Sequence, residues 1–212
     1  KWALLVLVLH LAAVLWFATQ LPEGAKVPIH WNYLNQIDGW TGRTPGLFWS
    51  IGLDVLMFLM LYLLHWYSPW YNKYAGRFEK ILPPLTTPLL ACFSTISLYS
   101  LYVAKWGEVS GVKLILVLIG LFLFFFGNLM PKVPKNMFVG IRTPWTIANE
   151  LVWERTHRLG GWLFVTGGIV MILKGLILTG SALFQNITTV LALGCLLYPL
   201  PYSFIQYKKL VK

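Results

Sequence analysis

His10, Asp54 and Lys174 are ionisable side chains set inside long apolar stretches of a 212-residue chain. A charge in hydrocarbon costs enough that each needs a partner or a function. At helical rise they fall roughly 12, 12 and 9 Å below the same ends of their helices, so they share a depth. One reading is a polar pocket in which Asp54 and Lys174 pair while His10 hydrogen-bonds or relays a proton. In the other, Lys174 snorkels alone and Asp54 takes a hydroxyl from the later stretch holding Ser94, Thr95, Ser97 and Ser100.

The remaining polar groups offer less. Glu154 and His157 have the Glu-x-x-His spacing of di-metal carboxylate bundles, but no second copy accompanies them. Solvated helix charges are therefore expected, with no metal and no other cofactor. Cys92 and Cys195 lie far apart in apolar segments and read as inert thiols. HExxH, P-loop, nucleophile-elbow and dinucleotide fingerprints are absent, so no enzyme is expected. One polar island stands out, Gly140-Ile141-Arg142-Thr143-Pro144-Trp145-Thr146. Arg142 can clamp a carboxylate, a phosphate or helix carbonyls bidentately. Pro144 fixes a turn, and Trp145 suits the headgroup level of a bilayer.

Composition dictates the kind of scaffold that carries these residues. The chain is 58% hydrophobic, 16% aromatic and only 11% charged, with mean hydropathy +0.67. That excludes an ordinary soluble domain. About 20 apolar residues cross a bilayer as a helix, and six windows qualify, at 2–18, 46–66, 85–104, 111–130, 160–179 and 187–206. The first lacks a small-residue cleavage site before Gln20-Leu21-Pro22 and reads as a span, not a signal peptide. The fold class expected is an all-α polytopic membrane protein with six transmembrane helices.

Net charge is +10, and its placement indicates topology, with anionic lipids as a second consequence and no nucleic acid. With both termini cytoplasmic, twelve Lys and Arg fall inside and four outside, as the positive-inside rule requires. Residues 19–45 then form an outer loop. Its VPIHWNY run alternates Val27, Ile29, Trp31 and Tyr33 with polar positions, and Asn35 to Gly39 supplies a turn in which Asp-Gly takes positive φ. A small strand-like hairpin is expected there. Residues 131–159 form an inner loop. Thr146 to Arg158 within it reads as an interfacial amphipathic helix capped by Thr146, with Ile147, Leu151, Trp153 and Leu159 turned to the bilayer or bundle. Lys26-Val27-Pro28 and Arg43-Thr44-Pro45 find echoes in Lys132-Val133-Pro134 and Arg142-Thr143-Pro144, a faint sign of inverted repeats.

Asn128, Gly140 to Thr146, Glu150, Val152, Trp153, His157, Arg158, Gly160 and Gly161 together resemble the signature region of the SdpI family of bacterial membrane proteins. The stretch LPEGAKVPIHWNYLNQIDGW resembles a small domain of unknown function that often precedes it. The resemblance divides the chain into 1–66 with the outer loop, a connecting third span at 67–110, and an SdpI-like region at 111–212. It implies a multi-pass protein of the bacterial plasma membrane giving immunity to a secreted peptide toxin. It also implies a receptor that captures a transcriptional repressor at the cytoplasmic face. Pro28, Ile29, His30, Trp31, Asn32, Gly39 and Trp40 are then the toxin-contact candidates. Asn128, Gly140, Arg142, Thr143, Pro144, Trp145, Thr146, Glu150, Trp153, His157 and Arg158 become candidates for the inner partner. The competing expectation, resting on His10, Asp54 and Lys174, is a small proton-coupled transporter or lipid-handling protein.

Overall fold

The computed structural model describes residues 1–32, 36–108, 113–177 and 181–211. Among them, six helical segments are long and apolar enough to cross a membrane. Helices are imposed here because a bilayer offers no water to backbone N–H and C=O groups. In chain order the elements are α1 (Trp2–Gln20), β1 (Lys26–Trp31), β2 (Ile37–Gly42) and α2 (Arg43–Tyr62). Short helices α3 (Leu64–Tyr67) and α4 (Pro69–Lys73) lead to α5 (Ala75–Trp106), then α6 (Leu114–Leu129) and a 3-10 turn at Met130–Lys132. The chain ends with α7 (Pro144–Ala148), α8 (Glu150–Leu176), α9 (Ala182–Leu197) and α10 (Pro199–Val211), the last two forming the sixth segment. One end of the bundle carries the β-hairpin and is called the hairpin face. The other carries residues 130–149 and is called the basic face.

The amino-terminal half packs α1 and α2 on α5. Its core is Val14, Phe17, Leu21, Val27 and Leu101. On α1 the buried residues His10, Val14 and Phe17 fall at i, i+4 and i+7, one narrow stripe on a helix otherwise left to lipid. The hairpin sits on this core, and a side chain at Gly46 would meet the Val27 side chain at 2.8 Å. Arg43 Nη2 donates to the Ala18 carbonyl at 2.5 Å and Lys105 Nζ to Gln20 Oε1 at 2.7 Å. Both bonds fasten the hairpin-face ends of the three helices.

The carboxy-terminal half is organised by glycine. Added side chains at Gly120 and Gly168 would each meet the other's carbonyl oxygen at 2.6 Å, and Gly127 and Gly161 face each other in the same way at 2.7 and 2.8 Å. Lipid tails are as apolar as leucine, so spans associate through close packing, which small residues permit. The seven-residue spacing of Gly120 and Gly127, matched by Gly161, Gly168 and Gly175, keeps α6 and α8 in register along their shared length.

Several expectations change in detail. The third and fifth spans run longer than their windows, because α5 has 32 residues and α8 has 27, about 48 and 40 Å of helix. Both exceed the roughly 30 Å hydrocarbon core, so each projects beyond it. Residues 146–158 are not one interfacial helix capped by Thr146. Thr143 caps the short α7 through a capping box with Thr146, and Asn149 caps α8 by accepting from the Leu151 and Val152 amides. Polar Glu150, Glu154, Arg155 and Arg158 are exposed and Val152, Trp153, Thr156 and His157 buried, so the amphipathic stretch forms the first turns of the fifth span.

The hairpin also differs. Its strands pair antiparallel with register shifts either side of His30, which breaks the expected alternation, leaving Ile29 exposed and Pro28 buried. Asp38 and Gly39 lie within β2, and Gly39 does not take positive φ. β1 carries an extra residue before His30 and β2 one after it, as in bulged strands, and the Asn32 amide donates to the Gln36 carbonyl. Tyr33 and Asn35 lie outside the described residues.

Candidate functional site

Asp54 on α2 is 1% exposed. Its Oδ2 accepts from Ser94 Oγ at 2.5 Å and lies 2.8 Å from His10 Nδ1. The far nitrogen of His10, Nε2, is 2.9 Å from Ser97 Oγ. Ser94 and Ser97 are three residues apart on α5 and so share a face, one hydroxyl at each end of the acid–imidazole pair. Two proton arrangements satisfy these distances. A neutral His10 donates to Asp54 and accepts from Ser97, whereas a charged His10 donates to both, and Ser97 then donates to the Ser94 carbonyl 3.1 Å away. Ser97, His10 and Asp54 follow the order of a hydrolase triad, but Ser97 is mid-helix, where backbone amides are committed to the helix and supply no oxyanion donors.

Asp54 and Lys174 do not pair. Lys174 Nζ donates to Thr189 Oγ1 at 2.5 Å, and Thr189 donates to the Gln185 carbonyl at 2.7 Å. The separation follows from packing: α8 rests on α6, α9 and α10, while Asp54 is surrounded by α1 and α5. Of the two arrangements expected for Asp54, the serine partnership is the one realised. Lys174 is buried against α9 instead of snorkelling.

On the basic face the polar island is a tightly bonded loop. Gly140 has φ +116°, and a side chain there would come within 2.3 Å of His157 Nε2. The bare backbone lets the Ile141 amide donate to that nitrogen at 3.0 Å, while His157 Nδ1 donates to the Trp153 carbonyl at 2.8 Å. One ring nitrogen accepting and one donating fixes a neutral imidazole. Trp153 stacks on His157 with ring centres 3.9 Å apart, and its Nε1 donates to the Val133 carbonyl at 2.9 Å. Thr143 Oγ1 lies 3.0 Å from Ser203 Oγ, and Trp145 packs on Phe204, so α10 closes the assembly. The Arg142 guanidinium is exposed and donates to the Met137 carbonyl of its own loop at 2.5 Å.

The other inner candidates divide by environment. Thr146 is fully buried, Pro144 exposed at the start of α7, and Asn128 donates to the Phe124 carbonyl of its own helix. Glu150 accepts from the Tyr74 hydroxyl at 3.0 Å, and Arg158 is exposed. Glu154 points to the exterior while His157 is spent on backbone groups, so this Glu-x-x-His serves packing. On the hairpin face Ile29, His30 and Trp40 are exposed, His30 Nδ1 lying 2.5 Å from Asp38 Oδ1. Trp31 is turned inward, stacked on Tyr99. Pro28 is buried, Asn32 half-buried, and Gly39 sits against the His30 side chain.

Asn136 escaped the sequence reading. It is 0% exposed. Its Oδ1 accepts from the Phe138 and Val139 amides, and its Nδ2 donates to the Pro134 and Val139 carbonyls, all at 2.7–3.0 Å. The signal available was an asparagine between Lys135 and a hydrophobic run in a loop rich in proline, where its side chain can stand in for a backbone turn. Asn136→Ala should lower stability by about 2 kcal/mol, the order expected when buried backbone groups lose their partners. Thermal unfolding of the purified protein in detergent measures it, and an unchanged midpoint would refute the assignment.

Residues 132–203 match the SdpI/YfhL protein family, and residues 5–53 match a domain of unknown function, DUF1648. The first stretch holds the bonded loop, α7, α8 and α9, and the second holds α1, the hairpin and half of α2. The Immunity protein SdpI of Bacillus subtilis (strain 168) is 27% identical over 193 residues, 90% of this chain and 86% of the relative. No solved structure gives a significant match. Six membrane-spanning helices, the loop centred on Arg142 and His157, and the two matched regions lead to one statement: this is a multi-pass membrane protein with an SdpI/YfhL-like region over residues 132–203 and a DUF1648-like region over residues 5–53, similar along most of its length to Immunity protein SdpI.

Proposed function

We propose that the protein confers immunity to a secreted peptide toxin. The observation that carries this reading is the likeness to Immunity protein SdpI, which extends over both halves of the bundle. Charge placement supports a cytoplasmic basic face and an outer hairpin face. On that outer face Ile29 at 57% and Trp40 at 49% exposure offer aliphatic and aromatic surface to an amphipathic peptide arriving from outside. At the basic face Arg142, Trp145, Arg155 and Arg158 are the groups through which a repressor would be held. Communication between faces then requires the toxin to bind two conformations unequally.

The test is survival. A toxin-sensitive bacterium lacking its own immunity genes is given this chain and challenged with secreted apolar peptide toxins. Protection is expected, and its reduction by Ile29→Ala with Trp40→Ala; equal killing with and without the chain would overturn the reading. The finer proposal, repressor capture, predicts a co-purifying DNA-binding protein that Arg142→Ala releases. The hydrogen-bonded His10–Asp54–Ser97 chain favours a second reading, proton-coupled transport. Flux driven by a pH gradient in liposomes, lost in Asp54→Asn, is its signature.

A further inference from the structure

A cleft of about 620 Å³ opens on the basic face between the start of α5, the end of α6 and the first turns of α8. Its volume falls within the roughly 300–1,000 Å³ range of small-ligand sites. Arg77, Arg155 and Arg158 line it, with Glu154 as its acidic member. Arg155 donates to the neutral Gln206 side chain at 3.0 Å. None of the three arginines makes an ion pair within 4.0 Å with a described residue, and neither does Glu154. The deep wall is Gly127, Gly161 and Val165, where α6 and α8 come into glycine contact, and Trp162 stands at the rim, 71% exposed.

We infer that this cleft binds the phosphate of an anionic phospholipid headgroup. Depth is the first argument. An exposed tryptophan marks the headgroup level of a bilayer, and Arg158 lies one helical turn beyond it on α8. Chemistry is the second. Planar guanidinium groups match phosphate oxygens bidentately, and three against one carboxylate leave an excess of positive charge. Continuity is the third. Below the arginines the lipid-facing side of α8 continues as exposed Trp162, Ile169 and Leu173, a track for an acyl chain attached to that headgroup. A soluble phosphate has no use for such a track. The site joins α5 to α6 and α8, the two halves of the bundle, so an occupied cleft holds them together. It stands independently of the toxin reading.

The test uses the purified full chain in detergent, titrated with phosphatidylglycerol, phosphatidylcholine or inorganic phosphate, with bound molecules counted by native mass spectrometry. Retention of phosphatidylglycerol over phosphatidylcholine is expected. Arg77→Gln with Arg158→Gln should bind it roughly thirtyfold more weakly, the effect of losing two interfacial cations. Lys208→Gln with Lys209→Gln, which removes two cations outside the cleft, should bind as the parent does. Both cleft arginines are exposed, and melting without lipid checks that the variant folds. Arg158→Lys, which keeps the charge and loses the planar fork, should fall between parent and double variant. Equal retention of the two lipids, equal loss in both double variants, or no loss in the cleft variants would overturn the site. Displacement of the lipid by inorganic phosphate at matching concentration would overturn its lipid source.

Discussion

Gly168→Leu should prevent the carboxy-terminal half of the bundle from assembling. A first side-chain carbon at this position lies 2.6 Å from the Gly120 carbonyl oxygen and 2.8 Å from the Phe124 nitrogen. Both are backbone atoms of a helix, which cannot rotate away as a side chain would. Inserting extra carbons into a packed site costs about 1–3 kcal/mol where side chains can adjust. Here α6 and α8 must separate, so a loss above roughly 3 kcal/mol is expected, large against the total stability of a domain. Gly127→Leu should behave alike, because its first carbon would lie 2.7 Å from the Gly161 carbonyl. Gly194→Leu is the control, since nothing lies within 4 Å of its added carbon. Unfolding in detergent, followed by loss of helical signal against denaturant, makes the comparison. Equal midpoints for Gly168→Leu and Gly194→Leu would remove the glycine seam from the account of this fold.

That seam is present in the sequence as a spacing of glycines, to which hydropathy is blind. Hydropathy located all six spans because it averages over windows and needs no partner. A glycine inside an apolar window hardly changes the average, and the heptad spacing of Gly161, Gly168 and Gly175 gains meaning only when set beside Gly120 and Gly127. Helix ends were harder for another reason. Thr143 and Asn149 both cap helices, and the choice over Thr146 depends on where the chain is held, by His157 on one side and Ser203 on the other. Arg142 was legible as a clamp but not its object, which is the Met137 carbonyl five residues earlier. For the intramembrane groups, chemical type was legible in the sequence, while helix ends decided depth and packing decided partners. His10 and Asp54 sit mid-helix in α1 and α2, whereas Lys174 lies in the last turn of α8, because that helix ends at Leu176, short of the apolar window at 160–179; the expected common depth does not hold, and Lys174 bonds to α9 instead.

Asp54→Ala should destabilise the protein by about 3 kcal/mol, the lower end of the cost of removing one member of a buried ionic pair. Two losses combine. His10 is left 3% exposed with Nδ1 facing the space the carboxylate filled, and Ser94 loses its acceptor. Asp54→Asn retains an oxygen acceptor and should cost less. His10→Leu with Asp54→Leu should recover most of the stability, because no polar group of the pair then remains in the hydrocarbon. A double-mutant cycle between His10 and Asp54 should therefore show strong coupling. The cycle between Asp54 and Lys174 should be additive within about 0.5 kcal/mol, as expected for residues with no shared partner. Coupling between Asp54 and Lys174 of the size found with His10 would contradict the separate bonding seen for each. The doubly apolar variant also divides scaffold from mechanism, since it keeps the packing and abolishes the proton path. Toxin protection that survives in it assigns the pair to structure, and protection lost in a variant that melts like the parent makes proton movement part of the function.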